Sequence, residues 1–145
     1  MKIIITFVAS ILFTVAAKAQ VPCSFFAYGS ELPKTAEPHV ILCKKNFAIG
    51  YSTSRKTPLF VVQRLDPDKL SAPSAIDIVS FKPDPTLPRD QQPALSDYAN
   101  SGFDRGHMAP FEDNNHDLTA GTESNYLTNI IPQNPGNNRG IWRVL

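Results

Sequence analysis

Asp104-Arg105-Gly106-His107-Met108-Ala109-Pro110 places an acid, a guanidinium, a small residue, an imidazole and a helix-breaking proline within one short stretch. Further along, an asparagine-rich run ends in Asn137-Asn138-Arg139. These residue types can together hydrolyse a phosphodiester. The reaction needs an activated water, compensation of charge on the phosphate and help for the leaving oxygen. A neutral imidazole with an ordinary pKa of about 6.5 can take a proton from water. A hard divalent cation can hold the phosphate and the leaving oxygen. Magnesium prefers oxygen donors and keeps several waters, so one asparagine carbonyl can serve as its protein ligand. Arginine can bind phosphate oxygens through two donors. His107, Asn138 and Arg105 would supply these parts. Asp104 would hydrogen-bond and orient its neighbours, and Gly106 would let the backbone turn sharply before His107.

Each residue also has a plainer reading. An isolated histidine is more often a packing or surface residue than a base. His39 falls in a strand candidate and reads as structural. His116 lies in Asn114-Asn115-His116-Asp117 and reads as a solvated loop residue. An asparagine cluster is commonly a turn, and Asp104 could be an ordinary strand-end acid.

The elements that must position these side chains are short. His39–Cys43, Phe47–Ser52 and Leu59–Leu65 are apolar and β-prone, the last bounded by Pro58 and Pro67. Two or three of them are expected to form an antiparallel sheet. Residues 66–100 carry Pro67, Pro73, Pro83, Pro85, Pro88 and Pro93, which excludes a long helix and predicts a loop wrapped on the surface. Such a long irregular connection is usually functional. Phe103–Ala109 is compatible with a strand, and Ser124–Ile131 is β-prone in its C-terminal half. Pro135-Gly136-Asn137-Asn138 reads as a turn into a helix whose first turns are Gly140–Leu145. There are no repeats and no second domain. The class is α+β.

Met1-Lys2, an apolar run from Ile3 to Ala17 and the small residues of Ala17-Lys18-Ala19-Gln20 predict a signal peptide over 1–19 and a domain over 20–145. The run is shorter than the roughly 20 apolar residues of a spanning helix. Export, to a periplasm or the medium, with no stable membrane association after signal removal, is the expectation. The whole chain of 145 residues carries a net charge of +1. Loss of Lys2 and Lys18 would bring this to −1, so nucleic-acid binding by overall basicity is excluded and any phosphate recognition must be local. Cys23 and Cys43 are the two cysteines. In an oxidising compartment they are expected to pair, against the alternative of two free thiols. A metal pair is disfavoured, because His39 is the one nearby extra ligand and no Cys-x-x-Cys spacing occurs.

Phe103 to Pro110 resembles the signature of the DNA/RNA non-specific endonuclease family, which has the ββα-metal (His-Me finger) fold and includes sugar-non-specific bacterial nucleases and mitochondrial endonuclease G. Phe81–Pro88, Asp97–Gly102, Tyr126–Gln133 and Asn137–Trp142 are similar to the family's flanking segments, so the resemblance covers roughly residues 40–145. It implies that His107 is the general base and Asn138 the magnesium ligand, with manganese as substitute. It implies that Arg105 lies near the phosphate or supports the site, that Asp104 stabilises this segment, and that Asn129 is a second asparagine in a supporting role. DNA and RNA would be the substrates, held through the backbone. The chain departs from the pattern twice. The family's glutamate, eight residues after the metal asparagine, would fall at position 146. The family's upstream arginine is replaced by Ile76-Asp77-Ile78-Val79-Ser80, with Arg55, Arg64 or Lys82 as possible substitutes. The first departure carries the expectation of a chain cut within the metal-finger helix, and hence the alternative of an inactive remnant with at most weak metal or nucleic-acid binding. A third reading, a disulfide-stapled binding module, leaves the signature unexplained.

Overall fold

The computed structural model describes Cys23, residues 32–77 and residues 80–143. The expected signal peptide lies outside the described residues. The apolar runs near the start form an antiparallel meander: β1 (Val40–Cys43), β2 (Phe47–Ser52) and β3 (Thr57–Gln63), in that spatial order. Central β2 is buried along its whole length, and its Phe47, Ile49 and Tyr51 join Leu42 and Ala109 in the core. Gly50 pairs with Phe60, whose ring fills the space a Cβ at Gly50 would need. β3 starts two residues earlier than expected and contains Pro58. The register shifts at Gly50/Tyr51, next to the Pro58 pairing, and β3 is an edge strand, where a missing N–H is tolerated. The Cys23–Cys43 disulfide is formed, with a Cα–Cα distance of 5.5 Å; closing a loop of this size is worth about 3 kcal/mol in the chain-entropy model.

The described residues of 66–100 hold no long helix, as their prolines require. They contain α1 (Pro67–Leu70), capped by Asp66, and 3-10 turns at Arg89–Gln91 and Leu95–Asp97. The expectation of a surface wrap fails in the middle of this segment. Asp84 and Gln92 are buried. The Gln92 amide accepts from Asp84 N at 2.7 Å and donates to Asp84 O at 2.8 Å. The Asp84 carboxylate meets Lys44 Nζ at 2.6 Å, both side chains almost fully covered. The loop is tied down because its polar groups find partners inside.

A second, two-stranded sheet carries the signature. β4 (Asp104–His107) pairs antiparallel with β5 (Ile130–Gln133), Asp104 opposite Gln133 and His107 opposite Ile130. Between them lies α2 (Leu118–Ser124), capped by the Asp117 carboxylate on Thr119 N and Ala120 N. The sequence reading missed α2, treating its polar approach as solvated loop. His116 is half-buried rather than solvated, with Nε2 3.3 Å from Asn46 Nδ2. His39 is structural as expected, Nδ1 2.9 Å from Glu37 O. After β5, Asn134 caps α3 (Pro135–Arg139), with Pro135 in its first turn. The helix stops at Gly140, where a Cβ would strike Gly136 O, and resumes as a 3-10 turn over Ile141–Arg143. A helix therefore occupies Pro135–Arg139, where a turn was expected, and the stretch from Gly140, expected to hold the helix's first turns, carries a 3-10 turn over Ile141–Arg143. β4, β5 and α3 form a ββα unit on an α+β fold.

Candidate active site

His107 closes β4, where the antiparallel ladder fixes its backbone. Its Nε2 lies 3.1 Å from Asn125 Oδ1. Asn125 spends its amide on Gly121 O at 3.1 Å, so its oxygen is the group that meets the ring. The network thus assigns the N–H to Nε2 and leaves Nδ1 with its lone pair. The Phe81 ring packs against the imidazole, centroids 5.3 Å apart. Burial pushes the imidazole below its ordinary 6.5, while the Asn125 hydrogen bond and the Glu112 charge pull the other way. A neutral ring with one fixed N–H is the form a general base needs.

Asn129 sits behind this group and is fully buried. Its Oδ1 accepts from Ala109 N at 2.9 Å; its Nδ2 donates to Ala109 O at 2.9 Å and Ser124 O at 2.8 Å. Its backbone oxygen accepts from Met108 N. Asn129 therefore holds the chain leaving His107 against the end of α2, next to Asn125. No polar atom of its side chain is left for a substrate, so its part is positioning.

Asp104, at the other end of β4, fastens α3. Its Oδ2 accepts from Asn138 Nδ2 at 3.0 Å and Arg139 Nε at 2.8 Å, and its Oδ1 from Arg139 Nη2 at 2.5 Å. The hydrogen bonds from Arg139 and Asn138 hold its carboxyl down at about 2. A carboxylate can only accept, so Asn138 must turn its amide nitrogen to Asp104 and its Oδ1 away. Arg105 is exposed, its guanidinium 4.7 Å from the Phe81 ring centroid. Gly106 makes no turn. It lies in regular pairing with Ile131 and has no positive φ. Its lack of a side chain is needed because Gln133 crosses over it, and a Cβ would meet Gln133 Cβ at 2.6 Å.

His107 and Asn138 both line two cavities. One, of about 510 Å³, adds Asp77, Phe111, Glu112, Asn125 and Trp142. The other, of about 550 Å³, adds Phe81, Tyr98, Phe103 and Arg105. The structure thus brings His107, Arg105, Asp104 and Asn138 together and puts Asn129 behind them. Arg55, Arg64 and Lys82 line neither cavity; Arg55 pairs with Glu37 at 2.9 Å. Asp77 lies where the arginine was sought. Sequence reasoning missed Asn125, Glu112 and Arg139. Asn125 is the C-cap of α2, which the sequence does not announce, and only the fold shows its oxygen against His107.

Residues 25–145 match the family of DNA/RNA non-specific endonucleases. The chain is similar to the mitochondrial nuclease EXOG of Xenopus laevis, 40% identical over 97 residues, covering 67% of this chain and 27% of the relative. It is 36% identical over 100 residues to human mitochondrial nuclease EXOG, covering 69% and 27%. With a nuclease of Nostoc sp. it shares 32% identity over 115 residues, covering 79% and 41%. The chain thus spans well under half the length of these relatives. A crystal structure of the EndoG/EndoGI complex superposes with a TM-score of 0.66 at 28% identity, covering 76% of this chain and 46% of that one. With the ββα unit and its histidine and asparagine in place, the chain belongs to the DNA/RNA non-specific endonuclease family.

Proposed function

We propose that this chain is an exported, magnesium-dependent endonuclease that hydrolyses phosphodiester bonds of DNA and RNA through sugar-phosphate contacts rather than base readout. The observation that carries the reading is His107, its Nε2 held 3.1 Å from Asn125 Oδ1, lining one cavity together with Asn138. His107 takes a proton from water. Asn125 holds the opposite N–H and so the ring's tautomer and aim. Arg105, exposed beside the cavity, bears on phosphate oxygens. Asp104 occupies the Asn138 amide and turns its carbonyl oxygen outward.

The donor set fits magnesium. Among the described residues no group of three or more His, Cys, Asp or Glu could hold a metal, which disfavours a zinc-type centre. A single neutral oxygen, Asn138 Oδ1, suits a hard cation that keeps most of its waters. Bound there, the cation would offset charge on the phosphate and the leaving oxygen. Export rests on the apolar leader and agrees with a disulfide, and either a periplasm or the medium satisfies both.

The test is degradation of plasmid DNA and of RNA, with magnesium and with chelator, by the chain and by His107→Ala. The substitution is expected to cost about 10²- to 10⁴-fold, the usual worth of a general base. Equal activity with and without the imidazole would sink the reading. The second reading, a chain that binds nucleic acid weakly without cutting it, has one observation behind it: α3, which carries Asn138, buries no residue. Retained oligonucleotide binding without cleavage would favour it.

A further inference from the structure

The cavity on the Arg105 side holds more apolar surface than the proposed reaction uses. Phe103 directly precedes β4, and side chains two apart share a strand face. Phe103, Arg105 and His107 all line this one cavity, forming a row of ring, guanidinium and imidazole. At about 3.4 Å per residue, the Cα atoms of this row stand roughly 7 Å apart, and the guanidinium packs on the Phe81 ring, 4.7 Å from its centroid.

Phe103 is 53% exposed and Leu95, on the same wall, 43%. The ring's exposure is built into the turn before it. Ser101 Oγ accepts from Phe103 N at 3.2 Å and donates to Tyr98 O at 2.9 Å. Gly102 takes a left-handed φ of 80° that other residues rarely adopt. Tyr98 is anchored in turn, its hydroxyl donating to Ile130 O at 3.1 Å on β5. The turn therefore holds a large ring exposed on the wall of the cavity that Arg105 and His107 also line.

We infer that this cavity is a stacking subsite for an unpaired nucleobase of the substrate strand, with Phe103 as its platform and Arg105 on the adjoining phosphate. The inference rests on the nuclease reading above and adds what part of the nucleotide is held. The apolar Phe103 and Leu95 offer a base its π-face contact and no base-edge hydrogen bond, so the subsite tolerates any sequence. A base inside a duplex is stacked on its neighbours. The subsite therefore takes bases from single-stranded or locally opened substrate.

The test is binding of short single-stranded oligonucleotides, each carrying 2-aminopurine at one position, to the full chain in chelator. The chain is expected to quench the probe at one or two adjacent positions. Phe103→Ala is expected to weaken binding about tenfold and abolish the quenching, since stacking on one aromatic is worth roughly that factor or more. Phe103→Trp is expected to restore both. An abasic site at the quenched position should remove the difference between Phe103→Ala and the parent. The readout needs no cleavage, so failure of the nuclease reading in the plasmid assay is scored separately. Unchanged affinity and quenching in Phe103→Ala overturn the subsite. So does a change in its sedimentation with oligonucleotide binding intact, which assigns the exposed ring to contact with a second copy of the chain.

Discussion

The two halves of the site are held in different ways. Behind His107 the structure is buried and saturated: Asn129 is fully covered with every side-chain polar atom bonded. Its neighbour Thr128 donates to Asp84 at 2.7 Å, and Asp84 meets Lys44 in the connection between β1 and β2. An unbroken polar chain thus runs from that connection to the backbone beside the imidazole. Around Asn138 there is no such backing. None of the five residues of α3 is buried, and the side-chain ties of Asn138 and Arg139 to β4 converge on the one carboxylate of Asp104. A base must be aimed and desolvated, which calls for a rigid wall. The proposed ligand to a hydrated cation needs only its orientation, which one carboxylate can supply.

If the first half is part of the core, breaking it should cost the whole fold. Lys44→Met strands the buried Asp84 carboxylate. Loss of one partner of a buried pair typically costs about 3–5 kcal/mol, here moderated by the Thr86 and Thr128 hydroxyls that also reach Asp84. The urea midpoint should fall accordingly, and a change below about 1 kcal/mol would show that the pair is not part of the support. The pH sign follows. Burial would raise the Asp84 carboxyl, but the bonds from Lys44 and Thr86 win and hold it below its ordinary 3.8. Its contribution is therefore in place above that pH and is lost as pH falls further.

This division was only half legible in the sequence. β2 was found with its exact ends, because an apolar run bounded by polar turns needs no tertiary context. β3 was shifted because Pro58 reads as a boundary, and only an edge position beside a register shift makes room for it. α2 was missed because it is one short helix with Gly121 in its middle, stabilised by an Asp117 cap and by packing against Ile76. With α2 went Asn125, since a residue that reaches His107 from a helix end has no local signature. Asp104, Arg105, His107 and Asn138 were legible through the resemblance of their segments. Gly106 was legible as a necessary glycine but for the wrong reason, because the crossing of Gln133 depends on the β4–β5 register.

The looser half should break locally. Asp104→Ala removes the ties to Asn138 and Arg139, whose short helix contains no buried residue, so the urea midpoint should hardly move. Partners that orient a metal ligand are commonly worth about 10- to 100-fold in metal affinity or activity. Magnesium-dependent cleavage should therefore fall by that factor while the urea midpoint holds. A parallel loss of stability and activity would mean that α3 is part of the cooperative fold, and the contrast between the halves would disappear.

The smallest effect tests whether burial governs the imidazole. Burial lowers the His107 pKa, against the Asn125 hydrogen bond and the Glu112 carboxylate. The proposed base works when neutral, so kcat/KM should rise with pH through a midpoint below the ordinary 6.5. Because the unfolded imidazole binds a proton more readily than the folded one, acidification through that range also costs stability. Glu112→Gln removes the carboxylate whose charge raises the His107 pKa, and Glu112 lines the same cavity. The midpoint should then move to still lower pH, with the plateau rate unchanged if Glu112 acts only through the field at the ring. A move to higher pH would mean that the carboxylate does not face the imidazole as an anion, and a fall in the plateau would give Glu112 a part in holding substrate or cation.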